Sequence, residues 1–344
     1  MKLIQSLSQY IEEINKVEEK WGTTSNDFIL YRGQKDETWN LRPGLYRNYE
    51  EIKAKGGPPE WMMKRLLTSA EINSLNGFIQ KGIFFNKSAQ NYSKLEWYFL
   101  SQHYGLKTRL LDWTTSYLVA LFFALEKAQE TDSPAIYILD PAWLNFKHHF
   151  IEGSAYLSPY VFDRYIPQGL FETIEPELNK LDLDLMSYIN YESRNFHPFP
   201  IAIKPMYFDE RMYHQKAYFT VHGNIYNFYD LLLNDPKNNS ISKKAIDENL
   251  YKIFRFNLFG ENKIDKSIER ELKNIIKINS QNVESRLGKN NRIQKLIISG
   301  KSITKIKAEL SKAGIDYGNI YPGFEGLAKD MNDFFEKNVN NITK

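Results

Sequence analysis

Residues 117–125 read Tyr-Leu-Val-Ala-Leu-Phe-Phe-Ala-Leu. As part of a helix running to about Gln129, this stretch has almost no polar face through Leu125, so the fold must bury it on most sides. Immediately before it, residues 102–116 (Gln-His-Tyr-Gly-Leu-Lys-Thr-Arg-Leu-Leu-Asp-Trp-Thr-Thr-Ser) carry a run of charged and hydrogen-bonding side chains into the same neighbourhood. An unpaired buried polar group costs about 1–3 kcal/mol, so each of these side chains needs a partner. The segment is either a site or the scaffold directly behind one.

The chain has 344 residues, enough for one large domain or two ordinary ones with a substantial core. Hydrophobic residues at 42% and charged residues at 25% belong to a folded protein. With 22 Tyr and 22 Phe, many rings must be placed in the interior or in a pocket. A net charge of +3 argues against wrapping a polyanion and still permits a local basic patch. The absence of cysteine excludes disulfides, a thiol nucleophile and a thiolate metal site, and it fits a reducing compartment. The opening Met-Lys-Leu-Ile-Gln-Ser-Leu is too short an apolar run for a signal peptide, and no apolar run is long enough to span a membrane. The expectation is a soluble, cytoplasmic protein with no membrane association. The Asn, Lys and Ile richness reads as the coding bias of an AT-rich bacterial genome.

Apolar residues at helical spacing (Ile4, Leu7, Ile11, Ile14, Val17) predict an N-terminal helix over 3–20. Residues 28–32 form a short apolar run stopped by Gly33, a strand entering a turn. Residues 39–47 contain Pro43 and Gly44 and read as a loop. Helices follow over 61–79 and 93–104, the second ending where Gly105 serves as a C-terminal cap. Strands are expected at 108–113, 134–139, 199–204, 217–221 and 293–299, and helices at 301–313, before Gly314, and at 324–335. Residues 145–200 are irregular and aromatic. Residues 225–290 turn to Asn and Lys, broken by Asp235-Pro236-Lys237-Asn238-Asn239, and read as a helical insertion. Strands and helices interleave without a regular βαβ rhythm, so the expected class is α+β, a mixed central sheet flanked by helices, with that insertion in the C-terminal half.

Among the polar residues, Arg32 ends an apolar strand and is followed by Gly33 and Gln34, where backbone can approach a ligand closely. A planar, permanently charged guanidinium there suits a phosphate or carboxylate, and it equally suits an ion pair tying the strand end to a neighbour. In the central segment, strand alternation places Thr108, Leu110 and Asp112 on one face and Arg109, Leu111 and Trp113 on the other. Arg109 and Asp112 then need separate partners, and Asp112 is the natural carboxylate for Arg32. His103 shares a helix face with Leu95 and Phe99, the position of a core histidine. Thr114, Thr115 and Ser116 fit a helix cap, or an anion site at the helix N-terminus. His222-Gly223 ends a strand and either faces the site or closes a turn. Glu325 stands near the positive end of the last helix, where a glutamate is stabilising by about 0.3–1 kcal/mol. No histidine has carboxylates at metal-ligand spacing, and no Gly-rich phosphate loop or nucleophile elbow is present, so no metal is expected.

Four segments in order, Tyr31-Arg32-Gly33-Gln34, residues 102–124, residues 215–223 and residues 314–327, resemble the motifs of the FRG-domain family. Lys107 and Tyr117 stand where that family usually has proline, and Gly323-Phe324-Glu325 replaces its usual Asp-Leu-Asp. The resemblance implies an N-terminal helix over 1–24 and an FRG-like domain over 25–344, with residues 225–290 as a family-variable insertion. It also implies a bacterial or phage-associated protein in a toxin or anti-phage defence setting. A more distant resemblance links the strand with Tyr-Arg-Gly, the Thr-Thr-Ser turn and the following helix to arginine-type ADP-ribosyltransferases. On that resemblance NAD is the substrate. Arg32, Gly33, Gln34, His103, Thr108, Arg109, Thr114, Thr115, Ser116 and His222 line its site, and Arg32, Asp112 and Glu325 carry catalysis. The expected carboxylate motif on a later strand is missing, which leaves Asp112 or Glu325 to stabilise the oxocarbenium-like transition state.

Three readings follow. The first is an ADP-ribosyltransferase-like effector that modifies a protein or nucleic acid, with an antitoxin or neighbouring-system protein as a further partner. The second is a non-catalytic module that binds a phosphate-bearing ligand or nucleic acid, with Arg286, Lys289, Arg292, Lys295, Lys301, Lys305 and Lys307 as a basic face. In the third, Arg32, Asp112, Arg109 and His103 form a buried network that only specifies the fold.

Overall fold

Short runs of β-branched, leucine and aromatic residues pair into one six-stranded sheet in the computed structural model of the chain. It describes residues 3–23, 28–85, 87–141, 143–144, 200–205, 207, 210–222, 265–270, 272–274, 277 and 291–342. In chain order the described elements are α1 (Leu7–Trp21), β1 (Leu30–Gln34), α2 (Tyr49–Ala54), α3 (Glu60–Phe85), α4 (Lys94–His103), β2 (Leu110–Thr114), α5 (Tyr117–Leu125) and β3 (Ala135–Leu139). Then come β4 (Ile201–Ile203), α6 (Glu210–His214), β5 (Ala217–Val221), β6 (Ile293–Ile297), α7 (Ile303–Lys312), α8 (Tyr317–Ile320) and α9 (Phe324–Ile342). The strand order is β4-β5-β2-β1-β3-β6.

The class is α+β, as the interleaved pattern predicts. The sheet differs from expectation in one respect: every strand pair is antiparallel. The parallel contact among the described residues is the isolated bridge Ile4↔Ile298. That bridge also explains why α1 begins at Leu7 and not at Leu3. Ile4 donates its N–H to Ile297 and its carbonyl accepts from Ser299, which leaves Ser6 to cap the helix and Gly22 to end it in the left-handed region at φ 63°.

Alternation along β1 separates its two faces. Tyr31 and Gly33 share a face with Ile136 and Ile138 of β3, and α5 covers that face with α1 and α7 in one apolar cluster. Within it, Ala120, Leu121, Ala124 and Leu125 are buried, each large side chain contributing about 1.5–3 kcal/mol. A second cluster joins α4 to β2, β4 and β5 through Trp97, Phe99, Leu110, Ile203 and Phe219, with the Phe99 and Phe219 rings stacked at 5.4 Å. A capping box between Ser93 and Glu96 starts α4.

The loop expected at residues 39–47 contains a 3-10 turn at Gly44–Tyr46. The irregular region 145–199 lies outside the described residues, as do His148 and His149. So does most of the insertion over 225–290, where residues 266–270 and 272–274 are helical. Among the described residues no helix is long and apolar enough to cross a membrane.

Candidate functional site

Arg32 projects from the face of β1 opposite to α5, beside its register partner Tyr137. β1 and β2 are paired only at Tyr31↔Thr114. Beyond that point the Asp112 carbonyl takes the Arg32 guanidinium as its donor, at 2.5 Å from Nη1. The Asp112 carboxylate lies 3.8 Å from the same nitrogen, an ion-pair distance but beyond a hydrogen bond. The Arg32 side chain is 13% exposed and that of Asp112 56% exposed. The Arg32 Nε is buried and has no hydrogen-bond partner. Burial, countered by Asp112 and reinforced by the like charge of Arg47, lowers the Arg32 pKa to about 10. It stays charged at neutral pH, held by a carbonyl and an imperfectly placed, solvated carboxylate.

Asp112 is oriented from its other side. Gln102 donates its amide N–H to Asp112 Oδ1 at 3.1 Å, while its amide oxygen accepts from the Thr108 hydroxyl at 2.5 Å. Thr108 Oγ1 in turn accepts from the Leu110 N–H. A polar chain therefore runs Thr108–Gln102–Asp112–Arg32, from the end of α4 across β2 to β1.

Arg109, three residues before Asp112, belongs elsewhere. Its guanidinium donates through Nε and Nη2 to Glu71 Oε2, with Nε at 2.8 Å, and both side chains are buried. Its backbone N–H donates to Glu71 Oε1 and to the Tyr98 hydroxyl, which itself donates to Glu71. The four-residue buried network proposed for Arg32, Asp112, Arg109 and His103 is thus not what forms. Glu71 of α3 pairs with Arg109 while Asp112 faces solvent, and His103 sits at the end of α4 with its ring edge-on to Tyr104 at 5.4 Å.

Gly33 also has a different reason from close approach to a ligand. A Cβ there would stand 1.9 Å from the Ala120 carbonyl oxygen and 2.6 Å from the Ala124 nitrogen, so the backbone it admits is that of α5. Gln34, two residues beyond Arg32 on the same face, is buried, and its Oε1 has no hydrogen-bond partner. Thr114 Oγ1 accepts from the Ser116 N–H at 3.0 Å, and Ser116 Oγ accepts from the Val119 N–H at 3.4 Å. The Thr115 N–H donates to the Lys216 carbonyl. These three residues turn β2 into α5, the capping alternative.

His222 is buried at the end of β5. Its Nε2 is 2.9 Å from Thr220 Oγ1, which also accepts from Trp113 Nε1, and its N–H donates to the Arg109 carbonyl. Burial and then the Arg32 charge push its pKa down to about 3, so the ring is neutral beside the guanidinium. Glu325 begins α9. The preceding α8 packs Ile320 and Tyr321 on Val119 and Phe122, on the side of α5 turned away from the sheet. Arg32 and the start of α9 therefore stand on opposite sides of α5, and among the described residues the carboxylate beside Arg32 is that of Asp112.

Two contributors escaped the sequence reading. Glu71 is one; its signal was an acid in line with the buried Met63 and Leu75 of α3. The other is Arg47, brought toward β2 when Leu45 donates its N–H to the Thr108 carbonyl; nothing in its sequence neighbourhood marks it. Among the described residues no cluster of three or more His, Asp or Glu could hold a metal ion.

Residues 27–133 match the family model described as FRG domain. No curated protein and no solved structure matches the chain.

Proposed function

Starting from the FRG domain that the chain carries at residues 27–133, we propose that this domain seats the phosphates of NAD on Arg32 and transfers ADP-ribose to a macromolecular acceptor. The observation that carries the reading is the Arg32 guanidinium: it is mostly buried, its Nε has no partner, and its nearest carboxylate stands 3.8 Å away in solvent. An outside anion would complete the neutralisation of a cation desolvated to this degree. A dinucleotide pyrophosphate matches the fork of a guanidinium.

In the transfer, a nucleophile on the acceptor forms a bond to C1′ of the nicotinamide ribose as the C1′–N bond breaks. Nicotinamide leaves with the bonding pair and the acceptor proton passes to solvent. Positive charge builds on the ribose in between, and Asp112, oriented by Gln102 and half-exposed, is the carboxylate at hand to stabilise it. Such an activity fits a cytoplasmic bacterial effector, in a toxin or phage-defence setting, kept in check by an antitoxin-like partner.

A second reading rests on the same guanidinium. Among the described residues the carboxylate that pairs with Arg32 is that of Asp112, which faces solvent, and this favours a module that binds a phosphate-bearing ligand or nucleic acid without turnover. Nicotinamide release from NAD separates the two. The transferase reading expects release by the native protein and its loss in Asp112→Asn with NAD affinity retained. NAD binding without release, unaffected by Asp112→Asn, leaves the module.

A further inference from the structure

Two orphaned buried atoms lie on one face of β1: Arg32 Nε and Gln34 Oε1. Residues two apart on a strand are about 6.6 Å apart and point the same way, so one donor and one acceptor are presented side by side. Each costs about 1–3 kcal/mol if left unmade, and native proteins rarely retain such a pair unless something satisfies it. The strand beside them cannot do so. Gly33 is fixed against α5 on the other face, and the neighbouring Tyr137 lies under the Lys295 ammonium at 5.9 Å.

The two atoms demand different chemistry. Arg32 Nε–H needs an acceptor, and an anionic oxygen also answers the guanidinium charge. Gln34 Oε1 needs a donor, and a ligand ammonium would be repelled by the guanidinium one step along the strand, with Arg47 and Lys295 nearby. A hydroxyl satisfies the site without charge, and it can serve either end of the Gln34 amide. Phosphate and hydroxyl groups at this separation occur together in a pentose phosphate.

We propose that Gln34 is the specificity-determining residue of the Arg32 site: its side chain accepts a hydrogen bond from a ribose hydroxyl of the ligand whose phosphate Arg32 holds. This rests on the phosphate reading of Arg32 and adds to it that the ligand is a ribose phosphate and not a bare phosphate or a phosphopeptide. The pairing also explains why Gln34 is kept polar in a position 6% exposed, where an apolar residue would otherwise pack better.

Two probes test it by titration calorimetry on the full chain: ribose 5-phosphate, and tetrahydrofurfuryl phosphate, which keeps the ring and the phosphate but lacks the hydroxyls. The native protein is expected to prefer the first by about tenfold, the value of one well-made hydrogen bond. Gln34→Met, which keeps the volume and loses the acceptor, is expected to bind both probes equally, at the affinity of the hydroxyl-free one. Equal binding of the two probes by the native protein overturns the role of Gln34 while leaving Arg32 as an anion seat. If neither probe binds, the phosphate reading falls as well. Because the native protein alone discriminates the outcomes, a folding defect in Gln34→Met does not blunt the test.

Discussion

Arg109 and Asp112 are three residues apart and live in opposite worlds, and substitutions at the two should separate accordingly. Removing Glu71 strands Arg109 inside the protein with an uncompensated charge and leaves the Tyr98 hydroxyl without its acceptor. Glu71→Ala is expected to cost about 3–5 kcal/mol in urea unfolding, the range for breaking a buried pair. Asp112→Asn, at a carboxylate 56% exposed, is expected to shift stability by less than about 1 kcal/mol. Similar losses in both variants would mean that Asp112 is structural after all. His222 gives a pH signature. Its folded pKa of about 3 lies below the unfolded value of about 6.5, so as pH falls below 6.5 the unfolded state binds a proton that the folded state refuses. Stability from the neutral ring is complete above about pH 6.5 and drains progressively toward pH 3. Between about pH 6.5 and pH 5, above most carboxylate titrations, His222→Gln should show a flatter decline than the native protein by close to one proton. At this scale the sequence exposed the charged residues and the pairing of Asp112 with Arg32, but not the partner of Arg109: strand alternation correctly separated Arg109 from Asp112, yet that partner comes from a helix 38 residues away.

The wholly apolar helix α5 is the element whose place was most legible, because a helix without a polar face has no alternative to burial between layers. Its close seating on β1 could be read only afterwards. The absent Cβ of Gly33 lets Ala120 and Ala124 approach, so the Tyr-Arg-Gly motif joins a packing device to a site residue on opposite faces of one strand. Gly33→Ala is expected to destabilise by at least about 1–3 kcal/mol, the cost of overpacking, and to lower ligand affinity indirectly. A variant as stable as the native protein would show that α5 is not held against β1 there. Glycines announced the ends of α4 and α7, Gly105 and Gly314 both lying in the left-handed region. By contrast α3 hid its inward side. Trp61, Met62, Leu66 and Ile72 are exposed while Glu71 is buried, so its apolar pattern pointed nowhere. The antiparallel arrangement was equally hidden, since pairing order follows from connections that local periodicity does not encode.

For the molecule as a whole, the family match ends before the sheet is complete. Residues 27–133 supply β1 and β2, while both strands flanking them, β3 and β5, lie beyond the match. The chain ends are stitched in as well: Ile4 bonds beside β6, and Arg292 pairs with Asp140 at 3.0 Å while donating to the Trp21 carbonyl at 2.8 Å, tying α1, the end of β3 and the start of β6. Residues 27–133 expressed alone are therefore expected to show no cooperative thermal transition, because their two strands expose unpaired edges and lose the α1 and α7 side of the core. A sharp transition would make that segment an autonomous domain. The arrangement leaves the Arg32 cation desolvated at a parting in the sheet, with its Nε short of a partner. The most direct test is calorimetric titration of NAD into the native protein and into Arg32→Met, with thermal unfolding of each. Saturable binding weakened at least about tenfold by the substitution, at an unchanged or higher melting temperature, is the expected result. Absence of NAD binding by the native protein, or an Arg32→Met protein that binds equally well, contradicts it.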